Sequence, residues 1–182
     1  MGKINDKKMS ILQKFTYDSK LSDLDVYSRQ YLSSILFNKY RDNTNLEKSE
    51  PYSVIFGDFN KLGRINKLFG DEAGDSAIIS AMTLIKEQLP ENCKISRIGG
   101  DEFLFIIENS TQDEITHYIE KIYSVLDSDE NKTFTNPSNK EENLKLTIEM
   151  AAIDSTHTSG INEMYQTAEK IVSNKKKKYG QE

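Results

Sequence analysis

Asp58, in "FGDFN", and the neighbouring pair Asp101 and Glu102, in "RIGGDEF", are the acids whose setting points to chemistry. Each adjoins a short apolar, β-branched run, "YSVIFGD" over 52–58 and "EFLFIIE" over 102–108, so they are expected at strand ends. A carboxylate buried there without a partner costs several kcal/mol, so these acids either face water at a turn or hold a cation. Mg²⁺ prefers hard oxygens and is usually held by one or two carboxylates plus substrate phosphates. Two such ions about 4 Å apart can activate an attacking hydroxyl and stabilise a departing pyrophosphate, which is polymerase-type phosphoryl chemistry. Taken singly, each acid also has an ordinary reading, with Asp58 capping the next helix and Asp101 filling a turn.

The surrounding pattern says what must position them. Val26, Tyr27, Tyr31, Leu32, Ile35, Leu36 and Tyr40 recur at helical spacing and predict an amphipathic helix over 25–40, followed by the polar connection "RDNTNLEKSEP". A strand is expected over 52–58. Helices follow over about 61–69 and 72–88, the second with Ile78, Met82, Ile85 and Leu89 on one stripe and Pro90 as its stop. "CKISRI" (93–98) and "EFLFIIE" flank Gly99, Gly100 and Asp101 as a tight hairpin. Ile115, Ile119, Ile122 and Leu126 mark a helix over 112–126, and the polar stretch 127–143 reads as a mobile loop with a short strand at 133–135. Residues 144–151 alternate, with Leu144, Leu146, Ile148 and Met150 inward. A last helix over 161–178 carries Ile161, Met164, Tyr165, Ala168, Ile171 and Val172, and its tyrosines are assigned to the core. This order implies an α+β fold, an antiparallel sheet with flanking helices.

At 182 residues the chain suits one well-packed domain. Its 24 Lys and Arg against 29 Asp and Glu leave no basic field for DNA, so no direct DNA binding is expected. Cys93 is the only cysteine, which excludes an internal disulfide and a Cys-based zinc site, and it reads as a small buried residue. No apolar run approaches membrane-spanning length, and the expectation is a soluble, cytoplasmic protein without membrane contact. The lysine run 175–178 suits a solvated helix end, and His117 and His157 read as surface residues.

"GDFNKLGRINKLFGDEAGD" (57–75) followed by "RIGGDEF" (97–103) resembles the GGDEF family of nucleotidyl cyclases, and "LSDL" with Arg29 echoes that family's LTGL-x-NR pattern. The resemblance covers 18–182 and leaves 1–17 as an N-terminal extension. It implies a palm-type, ferredoxin-like sheet. It also implies that Asp58, Asp101 and the Phe59 carbonyl ligate Mg²⁺ or Mn²⁺, with Glu102 near the attacking 3′-hydroxyl as a possible base. Gly99 and Gly100 would give a nucleotide room to approach the backbone, and Asn60, Lys61, Leu62 and Gly63 would offer amides to phosphates. Asn66 and Asp75 match the positions that bind the guanine edge; an Asp accepts both the ring N–H and the exocyclic amine, which favours GTP over ATP. The departures fall on the phosphate-holding side. Gly63 stands where the family has a Lys, Lys67 where it has an Asp, Asp71 where it has a His, and Gln181 where it has an Arg. Lys61 or Arg64 could compensate for the missing Lys, and Lys176 or Lys177 could still reach a triphosphate. The R-x-x-D motif of product inhibition is missing before the hairpin, so no such feedback site is expected.

Three readings follow. The first is a cyclase condensing two NTPs into a cyclic dinucleotide such as cyclic di-GMP, working as a homodimer without a sensory domain of its own. The second, for which Gly63 speaks, is a cousin resembling the minimal CRISPR polymerases, making adenine-containing cyclic nucleotides in antiviral defence. The third is a nucleotide-binding module without turnover, against which the intact acids weigh.

Overall fold

The computed structural model describes residues 26–29, 51–156 and 160–179. The N-terminal extension, nearly all of the helix expected over 25–40, the connection after it, His157 and Gln181 lie outside the described residues.

Strand β2 (Tyr52–Asn60) is the axis of the sheet, with antiparallel neighbours β4 (Glu102–Glu108) and β7 (Thr147–Asp154). Strand β3 (Lys94–Arg97) adds to β4, and β1 (Tyr27–Ser28) closes the order β1-β3-β4-β2-β7. The four longer strands are antiparallel, as expected, while β1 runs parallel to β3 and makes the sheet mixed. Tyr27 and Ser28 are therefore strand where helical periodicity predicts helix. The outer edge of β3 offers backbone donors and acceptors that need partners, and pairing Tyr27 with Ser96 and Ser28 with Arg97 outweighs local pattern.

Alternation along β2 sorts the two faces. Ile55 and Phe59 point to one core with α1 (Leu62–Phe69), α2 (Asp71–Glu87) and α3 (Gln112–Asp127). Val54 and Phe56 point to the other, covered by α4 (Ile161–Tyr179) through Ile161, Met164, Ala168 and Val172. By the same period of two, Asp58 and Glu102 belong to the α4 face, while Phe59 and Phe103 pack edge to face on the opposite side. Tyr165 packs edge to face on Phe56, whereas Ile171, expected in the buried stripe, is 37% exposed because the sheet-facing stripe narrows to 164, 168 and 172.

Segment 127–143, expected as a loop with a short strand at 133–135, has that strand as β5 (Thr133–Thr135), and it pairs with β6 (Asn143–Lys145) in a hairpin that the sequence pattern does not predict. Phe134 packs on Phe69, and buried Asn131 donates to Leu126 O at 2.7 Å and Leu146 O at 2.8 Å. The alternating run over 144–151 is consequently shared between two sheets, with all four of its inward residues buried. Edge strand β7 is protected by side chains: Met150 N–H donates to Tyr123 Oη at 3.1 Å, and Lys175 Nζ donates to Met150 O at 3.0 Å.

Candidate active site

Register brings the acids together. Asp58 lies directly opposite Glu102, and Phe59 N–H donates to Asp101 O at 2.9 Å, so β2 is tied to the hairpin tip one residue beyond the ladder. Arg97 holds that tip by donating through Nε to Gly99 O at 3.2 Å and to Gly100 O at 3.1 Å, with Nη2 also on Gly100 O. A Cβ on Gly99 would lie 2.3 Å from Glu102 Oε2, so glycine there lets the Glu102 carboxylate fold back over the turn. Space beside Gly99 thus goes to Glu102, whereas Gly100 borders open space.

These strand ends open into a cavity of about 1050 Å³. Asp58, Phe59, Asn60, Lys61, Leu62, Gly63, Asp101, Glu102 and Lys176, all site candidates from the sequence, line it. Lys177 is exposed and does not line it. Asn66 and Asp75 stand apart from the cavity wall at the α1–α2 junction. Asn66 Oδ1 is buried without a hydrogen bond against Gly74, where a Cβ would approach to 1.7 Å. Asp75 acts electrostatically on Arg97, as does Asp101. Arg64, a candidate from sequence to compensate for the missing Lys, lines the cavity, as do Glu169, Lys170, Ser173 and Thr147, which were not assigned from sequence; Glu169 and Ser173 share a face of α4 with Lys176 by their spacing of four and three.

The ordinary reading of Asp58 as a helix cap fails: the N-cap of α1 is Lys61, in the left-handed region at φ 70°, with no side-chain cap. Asp58 instead meets Lys176, whose Nζ lies 2.5 Å from Oδ1 and donates to Phe59 O at 3.1 Å. Oδ1 is buried and, despite this ion contact, receives no well-aligned hydrogen bond. Burial raises the Asp58 pKa, Lys176 opposes the rise and Asp101 adds to it. Burial likewise raises that of Glu102, reinforced by Asp58, Asp101 and Glu169 and opposed by Arg29. Two carboxylates and a carbonyl, one oxygen lacking an aligned donor and already facing an ammonium, form a hard-oxygen set that fits Mg²⁺ or Mn²⁺. Among the described residues no three His, Cys, Asp or Glu cluster tightly enough to hold a metal by themselves.

A mixed-sheet palm with an acid-lined groove at its strand ends is the class that the fold and site define. The family described as "Diguanylate cyclase, GGDEF domain" matches residues 22–182, and the chain belongs to it. Diguanylate cyclase TpbB of Pseudomonas aeruginosa is 29% identical over 106 residues, 58% of this chain and 23% of that protein. The chain thus spans about a quarter of the length of this relative. The solved GGDEF domain of TpbB superposes with a TM-score of 0.68 at 18% identity, covering 85% of this chain and 87% of that one. The GGDEF domain of DgcB from Caulobacter crescentus, solved with c-di-GMP, gives 0.67 at 16% identity, covering 86% and 88%. Among the described residues no helix is long and apolar enough to cross a membrane.

Proposed function

We propose that the groove binds GTP with a divalent metal, Mg²⁺ or Mn²⁺, and that two copies of the chain condense two GTP molecules into cyclic di-GMP. The observation that carries this reading is the meeting of Asp58, Asp101 and the Phe59 carbonyl at one end of the groove, facing a cation. In each half-reaction a 3′-oxygen bonds to the α-phosphorus of the other nucleotide, and the bond to the departing pyrophosphate breaks; two pyrophosphates leave per product.

The chain's own groups divide the work. Glu102, on the same sheet face as Asp58 and with its proton affinity raised, is placed to take the 3′-hydroxyl proton. Bound metal would supply charge for the phosphates and the attacking oxygen, held by Asp58, Asp101 and Phe59 O. The start of α1 has no side-chain cap, which leaves its first amides for phosphate oxygens. Asn66 and Asp75 stand outside the groove wall at the α1–α2 junction, so a guanine edge bound by them would extend beyond the groove onto that junction. One groove holds one nucleotide, so two chains must face each other to close both bonds.

Gly63 favours a second reading, an adenine-using cousin of the minimal CRISPR polymerases: it lies on the groove rim, and a Cβ there meets nothing within 4 Å. Incubation with Mg²⁺ and each NTP, alone and mixed, followed by mass identification of products, decides between them. Cyclic di-GMP supports the first reading and adenine-containing products the second. No product from any NTP contradicts both.

A further inference from the structure

Lys176 stands where the metal reading requires a cation. Its ammonium touches two of the three proposed ligand oxygens, Asp58 Oδ1 at 2.5 Å and Phe59 O at 3.1 Å. The pair is shielded, with side chains 12% and 18% exposed, so water does not screen it as it screens a surface ion pair. The contact with Oδ1 is a close ion pair, so the ammonium neutralises an oxygen that burial keeps from water. The backbone around it is fixed: Lys175 is anchored on Met150 O, and Val172, one turn earlier, is fully buried. The lysine stem is free of such ties and has the length and rotatable bonds to swing along the groove.

A divalent ion and an ammonium cannot share the same two oxygens, because like charges in contact repel strongly in a shielded site. We propose that Lys176 is a tethered counter-cation, holding the Asp58 and Phe59 oxygens until a divalent ion enters and then yielding them to it. This rests on the metal assignment above. Metal entry into the nucleotide-free protein is then a competition with a built-in lysine. A triphosphate relieves that competition by giving the displaced ammonium new oxygens, so nucleotide and metal bind with positive coupling. Lys170 and Arg64 line the same groove, but Lys176 alone is recorded on Asp58 among the described residues.

Two measurements on the full chain without nucleotide test the exchange. The first maps amine-reactive labelling of each lysine by mass spectrometry, with and without Mn²⁺. The second titrates Mn²⁺ by electron paramagnetic resonance into the wild type, Lys176→Met and Asp101→Asn. Displacement predicts that Mn²⁺ raises labelling at Lys176 and leaves lysines remote from the groove unchanged. Lys176→Met should bind Mn²⁺ about tenfold more tightly than the wild type, as expected on removing a shielded charge-assisted contact. Mn²⁺ binding that depends on Asp101, with unchanged Lys176 labelling and no gain in Lys176→Met, overturns the exchange and leaves the metal assignment standing. Binding unaffected by Asp101→Asn, or absent from both wild type and Lys176→Met, overturns the metal assignment and the exchange with it. The labelling arm uses the unaltered protein, so misfolding of a variant does not blunt it.

Discussion

Glu102 is a carboxyl made a better base by burial and by three acidic neighbours, and its cost to the fold has a definite sign. A carboxyl whose folded pKa is raised contributes stability that is present in acid and lost as pH rises through the folded value. In metal-free protein Glu102→Gln should therefore raise the melting temperature at neutral pH and give no gain below the ordinary carboxylate range; a calorimetric pH series checks this. Cys93 behaves in the opposite functional sense: burial pushes its thiol up to about 12, so it should react slowly with disulfide reagents until the protein unfolds. Gly63, with open space where its Cβ would be, should accept Ala with a gain of roughly 0.5–1 kcal/mol in denaturant unfolding, since it is an unstrained helical glycine. Asp58, Asp101 and Glu102 were legible in the sequence because short motifs flank them. The grip of Lys176 on Phe59 was not, because 117 residues separate the partners and only the packing of α4 on the sheet joins them.

Elements with a full period were equally legible. The runs that became β2, β4, α2, α3 and α4 carry enough alternating or helical repeats to place them within a few residues. β5 stands at 133–135, where the sequence predicts a short strand, whereas β1, with two residues, carries too little pattern, and its pairing is decided by the edge of β3. Asn131 anchors the base of the β5–β6 hairpin, satisfying carbonyls at the end of α3 and just before β7. Asn131→Ala, which orphans both, should cost about 2 kcal/mol in denaturant unfolding. It should also loosen the hairpin before the main sheet melts, seen as faster hydrogen exchange over 133–145.

At the scale of the whole molecule, the sheet's two faces serve different ends. Among the described residues one is filled by three helices and supplies rigidity; the other is covered by α4, with the groove where the strand ends, α1 and the last turns of α4 converge. On the proposed function, with one nucleotide per groove, assembly is part of catalysis. In dilute solution, where dimers are scarce, halving the protein concentration should cut the rate about fourfold rather than twofold. The most direct test of the account is pyrophosphate release from GTP and Mg²⁺ by the wild type and by Asp101→Asn at matched folding. The account predicts steady release with cyclic di-GMP as the product in the wild type and loss of both in the variant. Equal release by the two proteins would contradict it.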